Sequence, residues 1–156
     1  MKRMILAALL AMCAVTTAYA DEVKVSKAWA RATAPGQDTG MVQLTITSKK
    51  DATLVGAASG SAQSVEIHNM IMEGDVMKMR QLDELPLPAK TAVSLGEDGN
   101  HLMLIGLRNP LVAGRKLPFA LRVKMPDGKV VIVRALAEIK PLEMSNEEEH
   151  QHHHHH

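Results

Sequence analysis

Histidine and methionine side chains are concentrated in one segment of this 156-residue chain. Residues 68–103 contain five methionines and the two histidines, His68 and His101, that lie outside the C-terminal histidine run. Thioether sulfurs bind soft cations and imidazole binds several transition metals, so the mixture favours Cu(I) over Zn(II), Mg(II) or Ca(II). The segment is therefore a candidate copper site.

The spacing of these side chains is that of one face of a β-strand. Three sets recur at alternate positions: His68, Met70 and Met72; Met77 and Met79; His101 and Met103. Successive side chains of a strand point to opposite faces, so each set shares one face, while aliphatic residues such as Ile67 and Leu102 occupy the other. The pattern predicts three strands that each present sulfur or imidazole on one side.

The register of the first hairpin decides whether the sulfurs meet. A turn through Gly74 and Asp75 predicts three facing pairs: Met72 with Met77, Met70 with Met79, and His68 with Gln81. Facing residues project to the same side of a sheet, so four sulfurs and one imidazole would gather on one surface. A three-residue loop over residues 73–75 would instead place Met70 opposite Lys78 and scatter them.

Core packing is the alternative explanation for the methionines, because methionine often fills irregular gaps in a core. It suffices for the isolated Met41 and Met125. It accounts less well for the hairpin methionines, since each of their strands already carries Ile or Val on the opposite face. A strand buried on both faces would still allow it, so the alternative stays open at this level.

The N-terminal segment is expected to be removed on export. Lys2 and Arg3 precede an apolar stretch, and Ala18-Tyr19-Ala20 stands before the charged Asp21. This layout predicts a secretory signal peptide over residues 1–20, cleaved after Ala20, and a periplasmic protein.

The chain's one cysteine, Cys13, lies inside that segment. It could carry a lipid anchor, but Met12 stands where a small residue is wanted, which argues against one. Cleavage leaves no thiol to oxidise in the periplasm, while thioethers still hold Cu(I) with a moderate strength that suits copper transfer. A blue-copper electron-transfer site requires a cysteine ligand and is excluded.

The C-terminal segment, residues 143–156, is a polar and acidic tail that ends in histidines and cannot pack a core. It is either a native metal-binding tail or the remnant of an expression tag. Its imidazoles would bind Cu(II). They are auxiliary metal candidates: His150, His152, His153, His154, His155 and His156.

Composition excludes several classes of function. A formal net charge of +1 and an aromatic content of 2% disfavour nucleic-acid binding. Outside the signal peptide, no apolar run approaches the length of a membrane-spanning helix. No acid/base pair, thiol or third core histidine accompanies the candidate site, so we expect no enzymatic activity. A monomer is expected.

Short strands separated by turn residues must position the site. Alternating apolar residues identify a strand around Val42, Leu44 and Ile46, and further strands are predicted at residues 64–72, 76–82, 91–95, 101–107, 116–125 and 129–138. No sustained helical period occurs between residues 21 and 142. The sequence predicts one all-β domain over residues 21–142, an antiparallel β-sandwich or a small barrel.

Four of these residues reproduce a family signature. His68, Met79, His101 and Met103 follow the spacing H-x10-M-x21-H-x-M, which resembles the PCu(A)C periplasmic copper chaperones. The resemblance extends over residues 23–140, with Ala28-Trp29-Ala30-Arg31 similar to the family's early strand. It implies a Greek-key β-sandwich of the cupredoxin-like or Ig-like kind, with an exposed Cu(I) site formed by these four residues.

The resemblance also implies a role in copper delivery to cytochrome c oxidase assembly outside the cytoplasm. The partner would be a copper-acceptor subunit of the oxidase or a thiol-bearing assembly factor. A copper-sequestering tolerance protein could use the same site. Met70, Met72 and Met77 are auxiliary candidates, either as a sulfur surface for copper entry or as packing around the site.

Overall fold

The structure is a computed structural model that describes residues 21–96 and 99–142. The predicted signal peptide, residues 1–20, and the histidine-rich tail, residues 143–156, lie outside the described residues. Within the described part of the chain, no helix has the length and apolar character needed to cross a membrane.

Ten β-strands make up most of the described chain. They are β1 Val23–Arg31, β2 Thr39–Ser48, β3 Ala52–Ala58, β4 Ala62–Glu73, β5 Val76–Leu82, β6 Leu85–Leu87, β7 Ala92–Leu95, β8 Asn100–Leu107, β9 Lys116–Lys124 and β10 Val130–Lys140. No α-helix occurs in residues 21–96 or 99–142. The all-β prediction is confirmed.

The strands form a single closed, barrel-like sheet. Its order is β5-β4-β8-β2-β1-β10-β9-β3-β6, and a contact between Ala57 on β3 and Val65 on β4 closes the ring. The short strand β7 pairs with β2 outside this path. The expected antiparallel arrangement holds for every described strand pair except β1 and β10, which pair in parallel through residues 29–31 and 138–140.

The site strands are anchored by their inner faces. Ile67 on β4, Leu102 and Leu104 on β8, and Val42 on β2 are buried in the core. Burying one such side chain contributes about 1.5–3 kcal/mol, and a one-residue slip would turn all of them toward solvent. The core therefore fixes which side chains face outward. Met125 is also buried, which confirms its interpretation as a core filler.

Candidate metal centre

The β4–β5 hairpin has the register predicted from its turn. Glu73 faces Val76 across a turn made by Gly74 and Asp75, and Gly74 adopts a φ of 65°, which glycine tolerates without strain. The facing pairs are Met72 with Met77, Met70 with Met79, and His68 with Gln81. The alternative pairing of Met70 with Lys78 is excluded, because Lys78 faces Ile71.

Strand β8 brings the second histidine to the same surface. His68 on β4 faces His101 on β8, and Glu66 faces Met103. The two imidazole ring centroids are 5.7 Å apart. The four residues of the signature therefore lie on the outer face of three adjacent strands. His68 is on the middle strand, β4; Met79 is on β5, and His101 and Met103 are on β8.

The hairpin methionines are not core residues. Met70, Met72, Met77 and Met79 are between 38% and 61% exposed. A side chain that packs a core would be buried, so the packing explanation left open by the sequence is wrong for these four. Their thioethers are accessible to a metal ion in solution.

Met41 corrects another expectation from the sequence. It faces Met103 across the β2–β8 pair and is 39% exposed, so it belongs to the outer surface and not to the core. The signal was present in the sequence, because Val42 and Leu44 occupy the inner face of β2 and alternation therefore turns Met41 outward.

His68 is held by a carboxylate that sequence reasoning missed. Its Nε2 lies 2.7 Å from Glu66 Oε2, and its buried Nδ1 has no hydrogen-bond partner among the described residues. Glu66 accepts a hydrogen bond from the Nε2–H of His68, which leaves the Nδ1 lone pair free for a metal. Glu66 stands two residues before His68, so strand alternation alone would have placed it on this face.

His101 is buried, with only 2% of its surface exposed. Burial and the neighbouring His68 charge lower its pKa, and a hydrogen bond to the Gly99 backbone raises that pKa in part. A bond that raises the pKa is one that the ring donates, so the acceptor is the Gly99 carbonyl. Nε2 has no partner in the described part of the chain. Nδ1 is therefore the donor and Nε2 keeps a free lone pair.

Gly99 positions both strands at this point. Its φ of 100° lies in the region that favours glycine, and its carbonyl accepts the Met70 backbone N–H at 2.7 Å. The Asn69 side-chain amide donates to Asn100 Oδ1 at 2.7 Å across the same strand pair. These bonds fix the start of β8 against β4, and with it the position of His101 beside His68.

Comparison with known proteins identifies the family. The family model described as "Putative lipoprotein LpqE-like" matches residues 23–135. The chain belongs to the LpqE-like family. "Putative lipoprotein Lxx21020" of Leifsonia xyli subsp. xyli is 35% identical to this LpqE-like protein over 104 residues, or 66% of the chain, and the match spans 63% of that relative's length.

Solved structures of PCuAC domains share the fold. The copper-bound PCuAC domain from PmoF2 superposes with a TM-score of 0.62 at 19% identity, covering 77% of the LpqE-like chain and 93% of that domain. The solution structure of CuI-DR1885 from Deinococcus radiodurans has a TM-score of 0.54 at 28% identity and covers 79% and 83% of the two chains. The PCu(A)C resemblance predicted from the sequence is confirmed.

The donor set of the LpqE-like site fits a soft cation. Two buried ring nitrogens, His68 Nδ1 and His101 Nε2, have no hydrogen-bond partner among residues 21–96 and 99–142, although a buried polar atom without a hydrogen bond is costly. No group of three or more His, Cys, Asp or Glu able to hold a metal is found in residues 21–96 and 99–142. A metal held by the histidine pair would therefore complete its coordination with the neighbouring thioethers.

We expect Glu66→Gln to lower Cu(I) affinity about 10–100-fold, the usual effect of losing a group that orients a metal-binding histidine. A neutral amide accepts a weaker hydrogen bond than a carboxylate and can also donate to Nε2, so it favours the Nε2–H tautomer of His68 less and leaves Nδ1 less available. Competition titration against a Cu(I) chelator measures the change. Glu73→Gln is the matched control, because Glu73 pairs with Lys78 and Arg80. Equal affinities for both variants would contradict the role given to Glu66.

The stability of the metal-free protein should fall as the pH drops below about 6.5. The pKa of His101 in the folded state lies below its ordinary value of 6.5, so the unfolded chain binds the proton first. Stability is then unaffected above pH 6.5 and is lost progressively toward the lower folded pKa. Denaturant unfolding at decreasing pH tests this, and His101→Leu should give a flatter profile. Parallel profiles would contradict it.

Proposed function

We propose that this LpqE-like protein is a Cu(I)-binding metallochaperone whose ligands are His68, Met79, His101 and Met103. The observation that carries the proposal is the facing pair His68 and His101. His68 is hydrogen-bonded to Glu66, and among the described residues the buried atoms His68 Nδ1 and His101 Nε2 have no hydrogen-bond partner. Exposed thioethers surround this pair on the same face of the sheet.

The ligand chemistry supports moderate rather than extreme affinity. Neutral imidazole and thioether groups bind Cu(I) without the charge of a thiolate, and His101 is kept neutral by its lowered pKa. Copper can then leave by ligand exchange, with no change in its oxidation state. The PCuAC domain from PmoF2 has been solved with copper bound, and DR1885 has been solved in its CuI form. These two relatives support copper as the cargo of this protein.

Delivery to cytochrome c oxidase assembly is the proposed destination, through a copper-acceptor subunit or a thiol-bearing assembly factor. The test mixes the Cu(I)-loaded protein with the copper-free soluble copper-binding domain of an oxidase subunit. Metal content is measured after separation of the two proteins. Transfer to the acceptor supports a chaperone, whereas full retention would favour a copper-sequestering protein that uses the same site.

Export to the periplasm is proposed from the N-terminal sequence and is supported by the description of the Leifsonia relative as a lipoprotein. Cleavage after Ala20 predicts a mature chain that begins at Asp21. Intact mass spectrometry of the protein purified from its native envelope measures this. A lipid-modified chain that begins at Cys13 would overturn the cleavage site while leaving export in place.

We further propose a non-enzymatic monomer with a Greek-key, cupredoxin-like arrangement. The closed all-β sheet and its likeness to PCuAC domains support the fold assignment. Absence of turnover by the Cu(I)-loaded protein with reductant and oxygen tests the non-enzymatic role. Sustained oxygen consumption above that of free copper would contradict it.

A further inference from the structure

The far end of the β4–β5 hairpin carries three thioethers that the four-residue site does not use. Met70 and Met72 lie at alternate positions on β4, and Met77 faces Met72 from β5. All three are exposed and share the outer face with His68. We propose that Met70, Met72 and Met77 form a second, thioether-only Cu(I) site that loads the first, an inference that deepens the proposed function.

The backbone places the three sulfurs within reach of one ion. Facing residues of an antiparallel pair have Cβ atoms about 4.5–5.5 Å apart, and residues two apart on a strand are separated by about 6.8 Å. Each methionine side chain has three rotatable bonds and a polarizable sulfur, so it can close these gaps. Three neutral sulfurs are a ligand set for Cu(I) and a poor one for hard cations.

The opposite face of the hairpin keeps competing oxygen ligands away. Beyond His68, the carboxylate within these two strands is Glu73, and it pairs with Lys78 and Arg80. Because strand positions alternate, Glu73, Lys78 and Arg80 share the face turned away from the methionines. In the described residues of the hairpin strands, the one carboxylate on the thioether face is Glu66, which lies at the His68 end and is hydrogen-bonded to that ring. The strand positions from Met70 to Met72 and from Val76 to Met79 carry no carboxylate on this face, which favours a soft monovalent cation over Mg(II) or Ca(II).

The hairpin also projects past its neighbour, which gives a direction to copper movement. The β4–β8 contact ends at Met70, whose N–H bonds to Gly99, so Met72 and Met77 lie beyond that contact. Strand β5 ends the path of the sheet and is exposed along almost its whole length. Met70 in turn faces Met79, a ligand of the first site. Cu(I) would pass from sulfur to sulfur across this pair, remaining Cu(I) throughout.

Methyl-labelled methionine provides a residue-resolved test in the full chain. Cu(I) is added anaerobically in steps, and the carbon-13 methyl signals are recorded by NMR. We expect Met79 and Met103 to shift with the first equivalent, because imidazoles strengthen that site, and Met70, Met72 and Met77 to shift with a second. Hairpin methyls that never move, or that move together with Met79 in one step, would overturn the second site.

Variants separate this inference from the proposed function. Met72→Leu combined with Met77→Leu should abolish the second-step shift of Met70, remove about one bound Cu(I) per chain and leave the first-step shifts intact. Ile132→Leu is the control, an exposed apolar residue on β10 outside the three site strands that should change neither step. The buried Met125 methyl reports that each variant is folded. A retained second step in the double variant would overturn the proposal.

The proposed function can fail in a distinguishable way. If Met79 and Met103 stay unmoved while the three hairpin methyls shift, the four-residue site is wrong and the thioether site stands. If the first-step shifts occur and the hairpin methyls remain still, the reverse holds.

Discussion

Met79→Leu is expected to weaken Cu(I) binding by more than about 100-fold, since residues that only orient a metal ligand are already worth about 10–100-fold. The substitution removes the thioether that β5 contributes to the proposed four-residue site. Leucine nearly conserves the volume of methionine, and Met79 is about half exposed, so no cavity forms. The free energy of unfolding should change by less than about 0.5 kcal/mol, as for ordinary surface substitutions.

Competition titration with a Cu(I) chelator and denaturant unfolding measure these two quantities on the same protein. Ile132→Leu is the appropriate control, because Ile132 is similarly exposed but lies on β10, which does not adjoin the three site strands. Its Cu(I) affinity should match that of the parent. An unchanged affinity for Met79→Leu would remove β5 from the site and leave a centre built from β4 and β8.

Local chemistry explains why the hairpin was predictable. The Gly74-Asp75 turn fixes the register between two strands that are adjacent in sequence, so the pairing of Met70 with Met79 follows from a few residues. Alternation then assigns faces, as it does for Ile67 and Leu102 in the core. The same rule, applied to Glu66 and Met41, would have placed both on the outer surface.

Long-range pairing explains what was missed. No local pattern sets the register between β4 and β8, which are separated in sequence. The direct opposition of His68 and His101 is therefore visible only in the paired strands of the structure. The strand β3 is rich in Gly and Ala and lacks a clear alternation, and β6 has three residues with a central Pro86. The parallel pairing of β1 with β10 joins the two ends of the described domain, which no sequence period encodes.

The burial of His101 costs free energy in the metal-free protein. Its Nε2 is buried without a partner within the described residues, and such an atom typically costs about 1–3 kcal/mol. The Gly99 carbonyl, to which the ring bonds, also accepts the Met70 N–H at 2.7 Å. Removing the imidazole therefore leaves that carbonyl satisfied.

His101→Leu is accordingly expected to abolish tight Cu(I) binding while the metal-free protein stays at least as stable as the parent. A buried apolar side chain of similar size replaces an unsatisfied polar one, so the free energy of unfolding should stay the same or rise by up to about 1–3 kcal/mol. His68→Leu is the comparison variant, and it should weaken Cu(I) binding equally. Its free energy of unfolding should rise less, because Glu66 loses its hydrogen-bond partner. Denaturant unfolding of the metal-free proteins and Cu(I) competition measure both effects. A metal-free His101→Leu protein that is destabilised by more than about 2 kcal/mol, the usual scale of a lost buried contact, would mean that His101 is retained for the fold rather than for the metal.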